Sequence, residues 1–527
     1  MSPFAHSDRS TSPPTVTLPR QYNAAVDFID RHLVEGRGTK TAVRDDSGTY
    51  SYAELAERVN RAGNMLRDLG LGMEDRVLML MLDTVAFPAV FFGAIKLGAV
   101  PIPLNTLLTT ADYDFMLRDS RAKALIVSAP LCERVAPLLR GQPFLKAVVV
   151  DGGSGFGKPL LAELMAKAAS RLEPAPTVAD DVCFWLYTSG STGQPKAAVH
   201  LQSDMVYAAE YYALAVLGIR EDDVMFSAAK LFFAYGLGNA MYFPFRVGAT
   251  ALLMAERPTP QSVIKRLIEM RPTIFYGVPT LYAALLADPA LPKRNQHNLR
   301  HCVSAGEALP EQVARRWKAH TGIDILDGIG STEMTHIFIS NRPGDVRYGA
   351  TGKPVPGFEV RLLGDDGAPV KPGEVGELVV SGPCCAPFYW ANRAKSLESF
   401  HGRWTKTGDK YMVDKEGYYI YQGRSDDMLK VGGIYVSPFE VEAALVMHEA
   451  VLESAVVGHA DENDLIKPKA FVVLKSGIAP SEALVEALKA HVKGRLAPYK
   501  FPRWIELVGE LPKTATGKIQ RFKLRQR

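Results

Sequence analysis

A loop rich in hydroxyl groups and glycine follows the buried strand that the sequence predicts over residues 182–186. It reads Tyr187-Thr-Ser-Gly-Ser-Thr-Gly-Gln-Pro-Lys196. Its two glycines free the backbone to curve, so that exposed amides, the hydroxyls (that of Tyr187 included) and the Lys196 ammonium can surround a phosphate. The Walker spacing GxxxxGK[ST] is absent from the loop. The pattern therefore predicts a phosphate site of another kind.

Strands that alternate with helical patterns must position this loop. Ser51-Tyr-Ala-Glu54 is a capping box that opens a helix with an apolar stripe, and Gly70 is expected to end that helix. Strand-like apolar runs occur at residues 124–128, 147–151, 182–187, 249–254, 273–276, 301–304 and 323–326. This alternation predicts an α/β fold with largely parallel sheets and with ligand sites at the carboxyl ends of the strands.

The chain predicts a leader and two domains. Residues 1–24 are rich in Ser, Pro and Thr, which predicts a disordered leader. Residues 25–424 are expected to form a large N-terminal domain, in which the glycine turns of 354–424 indicate a small β-barrel or antiparallel sheet. Residues 425–527 are expected to form a small α+β domain, whose first helix opens at a second capping box beginning at Ser437.

Composition excludes several classes of protein. Lys and Arg number 61 against 57 Asp and Glu, a net charge of +4 that is too small and too dispersed to argue for nucleic acid. The most apolar stretch is interrupted by charged residues and prolines before it could span a bilayer, so no membrane partner is expected. The odd number of cysteines, five, occurs without CxxC spacing and predicts reduced thiols in the cytoplasm.

Six motifs, in order and spacing, resemble those of the acyl-adenylate-forming ligases, and the resemblance covers nearly the whole chain after the leader. They are the phosphate loop, Ser304-Ala-Gly-Glu-Ala-Leu-Pro310, Gly328-Ile-Gly-Ser-Thr-Glu333, Thr407-Gly-Asp409, Gly423-Arg-Ser-Asp-Asp-Met-Leu-Lys430 with Val431-Gly-Gly433, and Pro512-Lys-Thr-Ala-Thr-Gly-Lys518. Ile329 departs from the family's usual aromatic residue, so adenine would meet apolar packing there in place of a stacked ring.

The resemblance implies a reaction and the residues that perform it. A substrate carboxylate attacks the α-phosphate of ATP, and positive charge held at that point stabilises the crowded anionic transition state. The implied catalytic residues are Lys518, Glu333, Thr332 and Lys196, with Mg²⁺ on Glu333 and Thr192. The implied ATP-binding residues are Thr188, Ser189, Gly190, Ser191, Thr192, Gly193, Ser304, Ala305, Gly306, Glu307, Asp327, Ile329, Asp409 and Arg424.

The segments beginning at Lys230 and Glu333 most resemble the acyl-pocket segments of benzoate–CoA ligases within this family. The implied pocket residues are Phe233, Ala234, Tyr235, Gly236, Gly330, His336 and Ile337. Aromatic walls with small residues between them suit a flat aromatic carboxylate and would crowd a long acyl chain. His336 is expected to close the pocket floor, and the alternative is a histidine that is buried and hydrogen-bonded without a function.

The same resemblance implies that the small domain swings about Asp426, and that Gly432 and Gly433 line the tunnel for coenzyme A. The favoured function is an ATP-, Mg²⁺- and CoA-dependent aryl–CoA ligase, with a homodimer left open. One alternative is a stand-alone adenylation enzyme that loads an aryl acid onto a carrier protein. Another is a catalytically idle nucleotide sensor, which would have no need of both lysine motifs.

Overall fold

The computed structural model describes residues 2–189, 195–425, 427–431, 434–462, 465–496, 500–513 and 519–526. The chain divides into two compact units. The first contains Met1–Glu359 and Ser381–Thr405, and the second contains Val360–Val380 and Lys406–Arg527. Most of the segment 354–424, predicted as part of the N-terminal domain, therefore falls in the second unit.

The strands, in chain order, are β1 (His6–Asp8), β2 (Thr15–Thr17), β3 (Thr41–Asp45), β4 (Gly48–Ser51), β5 (Arg76–Leu80), β6 (Val100–Pro103), β7 (Ala124–Ser128), β8 (Ala147–Asp151), β9 (Val182–Ser189), β10 (Pro195–Leu201), β11 (Val224–Ser227), β12 (Thr250–Leu252), β13 (Ile274–Gly277), β14 (His301–Ser304), β15 (Ile325–Gly330), β16 (Ile337–Ser340), β17 (Lys353–Pro354), β18 (Glu359–Leu363), β19 (Val375–Ser381), β20 (Phe400–His401), β21 (Trp404–Val413), β22 (Tyr419–Arg424), β23 (Leu429–Val431), β24 (Ile434–Val436), β25 (Val451–Ala460), β26 (Ile466–Leu474) and β27 (Trp504–Leu507).

The α-helices are α1 (Arg31–Val34), α2 (Tyr52–Asp68), α3 (Ala86–Leu97), α4 (Thr110–Asp119), α5 (Cys132–Val135), α6 (Leu161–Lys167), α7 (Asp204–Ala208), α8 (Ala234–Leu237), α9 (Phe243–Val247), α10 (Pro260–Glu269), α11 (Pro279–Ala287), α12 (Glu311–Thr321), α13 (Arg393–Ser399), α14 (Pro438–Val446), α15 (Glu482–Lys493) and α16 (Arg521–Leu524). π-Helical turns cover Val26–Asp30, Ala209–Leu214 and Gly238–Tyr242, and 3₁₀ turns cover Ala129–Leu131, Ala136–Leu138, Gly155–Gly157 and Thr332–Met334.

Two largely parallel sheets and one hairpin organise the first unit. The larger sheet has the order β17–β16–β15–β14–β13–β11–β12–β3–β4, and the smaller has the order β6–β5–β7–β8. Strands β11 to β15 run parallel to their neighbours within that set, which brings their carboxyl ends to one edge. The hairpin β9–β10 carries the two sides of the phosphate loop. The predicted α/β architecture with ligand residues at strand ends is therefore present.

Helix α2 forms as its sequence predicts. The Ser51 hydroxyl accepts from the Glu54 amide while the Glu54 carboxylate accepts from the Ser51 amide. Leu55, Val59 and other apolar residues of the predicted stripe are buried, and the chain leaves the helix at Gly70 with φ +82°. Because glycine adopts a positive φ without steric cost, it is suited to this helix end.

The first two dozen residues are not the disordered leader that their composition predicts. Strands β1 and β2 pair in an antiparallel hairpin. Arg9, on this hairpin, donates twice to the buried Glu210 carboxylate, at 2.9 Å in each case. Glu210 also pairs with Arg246 at 2.8 Å, and Arg246 pairs with Asp27 at 3.0 Å. The segment is ordered because it contributes a cation to a buried ionic cluster, a contact that composition cannot reveal.

The second unit holds three sheets. The first contains β18, β19 and β21 in that order, with β22 paired to β21, and it lies in the segment for which the sequence predicts a small β-barrel or antiparallel sheet. The second pairs β23 with β24, and the third has the order β25–β26–β27. Strand β22 joins the C-terminal elements because the Ser437 hydroxyl, at the start of α14, donates to the Gln422 carbonyl, and the Tyr421 and Phe439 rings lie 4.8 Å apart.

No helix in the described part of the chain is long and apolar enough to cross a membrane. All five cysteines are free thiols.

Candidate active site

The two sides of the phosphate loop are held in register by the β9–β10 hairpin. Thr188 lies opposite Lys196, and Ser189 lies opposite Pro195. The Tyr187 hydroxyl donates to Asp119 at 2.6 Å, and burial is the main reason why the pKa of Tyr187 is well above its ordinary value. Tyr187 is therefore engaged by α4, which corrects its predicted place among the phosphate-binding hydroxyls.

Lys196 and Glu333 are brought together by a third residue. Lys196 Nζ lies 3.3 Å from Glu333 Oε1 and donates to Tyr389 Oη at 2.5 Å. Tyr389 Oη in turn donates to Glu333 Oε1 at 2.6 Å. The three side chains form a closed triangle of one cation, one anion and one phenol, which we call the site cluster.

The site cluster keeps Glu333 ionised. Burial alone would raise the pKa of the Glu333 carboxyl, but the charge of Lys196 and the hydrogen bond from Tyr389 outweigh burial and hold that pKa below its ordinary value. Both neighbours bind through Oε1, and no side chain among the described residues donates to Oε2. The second oxygen of an ionised carboxylate is therefore turned to other partners, and a cation is the kind of partner it suits.

The ends of β14 and β15 carry polar atoms that lack partners. Ser304 and Asp327 lie side by side in the parallel pair β14–β15. Within the described residues, Ser304 Oγ, Asp327 Oδ1 and Ser331 Oγ are buried and make no hydrogen bond of normal geometry, although the Ser304 hydroxyl is close enough to the Asp327 carboxyl to act against the rise of its pKa. Burial raises the pKa of Asp327 well above its ordinary value. Because buried polar atoms are nearly always hydrogen-bonded, three such atoms at one sheet edge mark a surface that awaits a polar ligand.

The remaining residues of the two segments predicted to bind ATP lie at or just after the ends of β14 and β15. Ala305 is buried, Gly306 adopts φ +92°, and Glu307 is partly exposed. Ile329 is partly exposed in β15, opposite Ile339 of β16. Thr332 opens the 3₁₀ turn that carries Glu333. The structure therefore gathers the predicted segments at the edge where β14 and β15 end.

Three consecutive residues open the otherwise buried segment 231–246. Phe233, Ala234 and Tyr235 are partly exposed, while their neighbours in this segment are buried. The Tyr235 hydroxyl bonds the carbonyls of Gly277 and Val303, at 3.2 and 3.1 Å, where β13 and β14 end. Phe233, Ala234 and Tyr235 are therefore the accessible residues of this segment, and Tyr235 is held beside the sheet edge where β13 and β14 end.

Glycine is required at two predicted pocket positions. A Cβ on Gly236 would lie 2.1 Å from the Lys230 carbonyl oxygen, and a Cβ on Gly330 would lie 2.5 Å from the His336 carbonyl oxygen. Gly330 pairs with Ile337 across β15 and β16, and Ile337 is buried. These glycines keep the backbone of the segments close to each other.

His336 is buried among aromatic rings and connects two predicted pocket segments. Its Nε2 lies 3.2 Å from the Tyr235 carbonyl oxygen and 3.1 Å from Asn239 Oδ1, and its ring lies 4.5 Å from that of Phe243. Burial lowers the pKa of His336 to about 3, so the ring is neutral. Because both partners of Nε2 are acceptors, Nε2 carries the proton, and His336 acts here as a neutral donor.

The predicted ribose motif lies in the second unit. Arg424 Nη1 donates to Asp409 Oδ1 at 3.1 Å and to the Thr407 carbonyl at 3.0 Å, across the antiparallel pair β21–β22. Gly408 adopts φ +73°, and a Cβ there would lie 2.7 Å from Arg424 Nη2. Asp409 and Arg424 therefore form a hydrogen-bonded ion pair, and the position of Arg424 depends on the absence of a side chain at Gly408.

Several predicted residues lie outside the described part of the chain, so their predicted roles stay predictions. They are Gly190, Ser191, Thr192, Gly193, Asp426, Gly432, Gly433 and Lys518.

Sequence reasoning missed two residues of this site. Tyr389, the third member of the site cluster, sits in the aromatic run Phe388-Tyr-Trp390, which is also typical of a core. Gly238 lies against His336, where a Cβ would come within 2.5 Å of the ring. The alternation of glycine through residues 236–238 was the available signal for close packing. No local pattern indicated Tyr389, because its partners are distant in sequence.

A cavity of about 440 Å³ lies beside Lys196 in the first unit. Its other polar side chains are Asp119, Asn392, Lys395 and Glu398, and Trp390 forms part of the wall. Lys395 is paired with Glu398 at 2.7 Å. The cavity gives room for an anionic group next to the lysine of the site cluster.

Known proteins carry the same architecture. Residues 31–390 match the AMP-binding enzyme family, and residues 440–518 match the AMP-binding enzyme C-terminal domain. A benzoate–CoA ligase of Thauera aromatica is 61% identical over 521 residues, which is 98% of each chain. The crystal structure of a benzoate–CoA ligase from Burkholderia xenovorans LB400 has a TM-score of 0.90 and 53% identity, covering 96% of this chain and all (100%) of that one.

An anthranilate–CoA ligase in complex with anthranoyl-AMP has a TM-score of 0.92 and 45% identity, covering 97% of this chain and 98% of that one. These similarities confirm the predicted fold class, a large α/β N-terminal domain followed by a small α+β C-terminal domain. The chain is therefore a member of the AMP-binding enzyme family.

Proposed function

We propose that the protein joins benzoate, or a closely related aromatic acid, to coenzyme A through an acyl-adenylate, with release of AMP and pyrophosphate. The observation that carries this proposal is the site cluster, in which Lys196 and an ionised Glu333 lie 3.3 Å apart. We assign the acid pocket to the partly exposed residues Phe233, Ala234 and Tyr235, with the neutral His336 as its floor. Relatives named as benzoate–CoA ligases support the choice of acid and acceptor.

The first half-reaction makes an anhydride. A benzoate oxygen attacks the α-phosphorus of ATP, the bond from that phosphorus to the bridging oxygen breaks, and pyrophosphate leaves with the bonding electrons. Lys196 supports the leaving phosphates through its charge, and Thr332 faces the α-phosphate. Lys518 is proposed to supply the further cation at this point, because charge held where an anion develops lowers the barrier.

Mg²⁺ fits the residues on the first unit. Within the described residues there is no cluster of three or more His, Cys, Asp or Glu side chains that could hold a metal. Mg²⁺ in nucleotide enzymes is held by one or two carboxylates together with phosphate oxygens, so an all-protein cage is not needed. Glu333 supplies such a carboxylate, and Thr192 is the proposed second ligand. When bound, the ion screens charge on the leaving pyrophosphate.

The nucleotide would satisfy the polar atoms at the ends of β14 and β15. We assign the adenine and its surroundings to Ser304–Glu307, Asp327 and Ile329, and the phosphates to the loop from Thr188 to Gly193. Asp409, held by Arg424, is assigned to the ribose hydroxyls, which a carboxylate can accept from. A nucleotide there would give Asp327 Oδ1 and Ser331 Oγ hydrogen bonds of normal geometry, which reduces the cost of burying these atoms.

The second half-reaction transfers the acyl group. The thiol sulfur of coenzyme A attacks the acyl carbon, the bond from that carbon to the AMP oxygen breaks, and the thiol proton leaves to solvent. Gly432 and Gly433 are proposed to admit the thiol, and Asp426 is proposed as the hinge for the change between the two steps. The five free thiols suit a reducing compartment, and we place the reaction in the cytoplasm.

The acid pocket favours a short, flat substrate. Phe233 and Tyr235 provide aromatic walls, Ala234 is small between them, and His336 closes the floor. A methylene that cannot be buried forfeits about 0.8 kcal/mol, so an eight-carbon fatty acid should lose several orders of magnitude in kcat/KM relative to benzoate. Replacement of Ala234 by leucine should move the preference toward smaller acids.

The test is a coupled assay with a panel of acids. Pyrophosphate release that depends on benzoate, and benzoyl-CoA formation when coenzyme A is added, are expected from the wild-type protein. Octanoate used better than benzoate would overturn the assignment of the acid. Transfer to a phosphopantetheinylated carrier protein with none to coenzyme A would overturn the assignment of the acceptor.

A further inference from the structure

The turn that carries Glu333 is strained. Thr335, two residues after Glu333, adopts φ +65°. This φ is costly for a β-branched residue, and it persists only where surrounding contacts impose it. The strained position separates Glu333, in the site cluster, from His336, in the acid pocket. Contacts that impose the turn therefore set the direction of both side chains.

Each carbonyl from Thr332 to Met334 accepts a hydrogen bond. His200 Nε2 lies 2.8 Å from the Thr332 carbonyl oxygen, which also accepts a longer bond from the Thr335 amide at 3.2 Å. The Ala386 amide donates to the Glu333 carbonyl at 2.7 Å, and the His336 amide donates to the Met334 carbonyl at 2.7 Å. The backbone amides are not removed by any side-chain substitution. Two side chains also contact these carbonyls: the Cys384 thiol lies 3.5 Å from the Met334 carbonyl oxygen, and His200 makes the shorter contact, with Thr332.

The surroundings of His200 determine where its protons are. Nε2 faces a carbonyl, which only accepts, so Nε2 carries a proton. Nδ1 lies 3.0 Å from Asp204 Oδ2 and 3.1 Å from Thr335 Oγ1. The Thr335 hydroxyl donates to the Cys384 carbonyl at 2.7 Å, which leaves its oxygen as an acceptor toward Nδ1.

Nδ1 and Asp204 Oδ2 therefore share one proton, whichever atom bears it. His200 and Asp204 are both fully buried, and the His200 ring stacks on Phe184 with centroids 4.9 Å apart. The contact with Asp204 fixes the ring so that Nε2–H can point only at the Thr332 carbonyl. A carboxylate orients a metal-ligating histidine in the same way, but here the oriented histidine donates to a backbone carbonyl.

We propose that His200, oriented by Asp204, is a positioning residue that holds the Thr332–Glu333 turn in the conformation which binds magnesium–ATP. The proposal rests on the proposed function, because it takes Glu333 as the residue that holds the ion. Without the His200 bond, the strain at Thr335 can relax by rotation of the turn, and this rotation carries the Glu333 carboxylate away from Lys196. His200 itself does not contact the reacting atoms.

Two amide substitutions separate the two contacts of His200. The side-chain amide of Gln reaches the position of Nε2, whereas that of Asn reaches only the position of Nδ1. His200→Gln therefore keeps the bond to Thr332 and loses the contact with Asp204, while His200→Asn does the reverse. We expect His200→Asn to weaken magnesium–ATP binding about tenfold, the size of one lost hydrogen bond, and His200→Gln to stay within about threefold of wild type.

Binding is measured by titration calorimetry without any acid, and the melting temperature is measured alongside. A purely structural role predicts that affinity follows stability, so that His200→Asn, which keeps the buried Asp204 contact, binds at least as well as His200→Gln. The proposal predicts the opposite order of affinities. Equal affinities, or the order predicted by stability, would overturn it.

Asp204→Asn provides a second test of the proposal if a His200 variant does not fold. The Asp204 Oδ2 position also accepts from the Leu201 amide, at 3.1 Å, so an amide oxygen must remain there. That oxygen places the imidazole proton on Nδ1 and leaves Nε2 bare against the Thr332 carbonyl, so binding should again weaken about tenfold. Wild-type affinity in a folded Asp204→Asn protein would overturn the proposal. A wild-type protein that binds magnesium–ATP but releases no pyrophosphate with benzoate would sink only the proposed function.

Discussion

The site cluster of Lys196, Tyr389 and Glu333 can be compared with the buried cluster of Arg246, Asp27 and Glu210, since both pair cations with carboxylates inside the first unit. In the buried cluster, Arg246 is 1% exposed and both carboxylates are fully covered at 0%. In the site cluster, Lys196 and Glu333 are 15% and 14% exposed. The first set is sealed, and the second remains open to a ligand.

The two clusters also differ in their cation, which is Arg246 in the buried cluster and Lys196 in the site cluster. Arg246 spreads its donors over two carboxylates, and Arg9 adds a two-point contact to Glu210. Lys196 is a point charge, and it contacts the same oxygen of Glu333, Oε1, to which Tyr389 donates. A planar guanidinium fixed by several bonds cannot change partners cheaply, whereas an ammonium on a flexible stem can. The three side chains of the site cluster therefore form a resting arrangement, in which Lys196 can exchange its partners for a phosphate and Glu333 can exchange its partners for a cation.

The largest expected effect is in the buried cluster. Arg246→Met should lower the free energy of unfolding of the first unit by about 3–5 kcal/mol, because it leaves two carboxylates with too little buried positive charge. The activity of each molecule that remains folded should be unchanged. Denaturant unfolding and an assay normalised to folded protein check both statements.

Arg315→Met is the matched control, since Arg315 and Glu311 form a pair in which both side chains are about half exposed, at 60% and 49%. Exposed pairs of this kind contribute little, so stability should change by less than about 1 kcal/mol. A folded Arg246→Met protein with wild-type stability would show that the two clusters do not differ as described.

Glu333→Gln should have the opposite effects, a large loss of activity with little loss of stability. Benzoate-dependent pyrophosphate release is expected to fall roughly 10²–10³-fold, the size typical of losing one preorganised charge at a developing anion. The melting temperature should stay near that of wild type, because Lys196 is exposed enough to be hydrated without its partner. Glu311→Gln, on the surface of α12, is the control for the substitution itself. A large stability loss in Glu333→Gln would mean that the site cluster is structural.

A pair of Tyr→Phe substitutions tests one hydroxyl in each cluster. Tyr389→Phe removes a donor that holds down the pKa of Glu333, so that pKa should rise. Because the lowered-pKa carboxylate works above its pKa and is lost as pH falls through it, the acid limb of the pyrophosphate-release profile should move to higher pH. The rate at neutral pH should fall by about tenfold. A pH–rate profile from acid to neutral pH measures both effects.

Tyr22→Phe removes the hydroxyl that donates to Asp27 at 2.8 Å in the buried cluster. Stability should fall by about 1 kcal/mol, and the pH–rate profile should keep its shape. If Tyr22→Phe moved the acid limb, or Tyr389→Phe did not, the division between a structural and a functional cluster would fail.

Arg9→Ala should give the smallest effect. The Arg9 side chain is 52% exposed, so solvent screens its charge and the loss of stability should stay below about 1 kcal/mol. Hydrogen exchange of the β1–β2 hairpin should nevertheless accelerate, since its tether to Glu210 is cut. Unchanged exchange in the hairpin would show that other contacts hold this segment.

Local patterns predicted much of the fold. Strands β7, β8 and β14 begin and end where the apolar runs do, because a short buried run bounded by polar residues leaves few alternatives. The Ser51 capping box formed in full. At Ser437 only half of the predicted box formed, because the Glu440 carboxylate binds Lys500, 60 residues away. Long-range partners of this kind are invisible in a local window.

The same limit explains the site. Lys196, Thr332 and Glu333 were indicated by motifs whose members are neighbours in sequence. Tyr389 was missed, since it meets Lys196 across 193 residues and Glu333 across 56. The prediction of a disordered leader is wrong for the same reason. The residues around Arg9 have the composition of disorder, and the carboxylate that Arg9 binds lies 201 residues further along the chain.

The tether from Arg9 to Glu210 has a consequence for synthesis on the ribosome. The hairpin leaves the exit tunnel before Glu210 and Arg246, and Glu210 is translated 201 residues after Arg9. Until then Arg9 has no carboxylate to bind, and Asp27 has no Arg246. The buried cluster is therefore completed only after residue 246 is translated, and a nascent chain stalled before this point should leave the β1–β2 hairpin open to a protease.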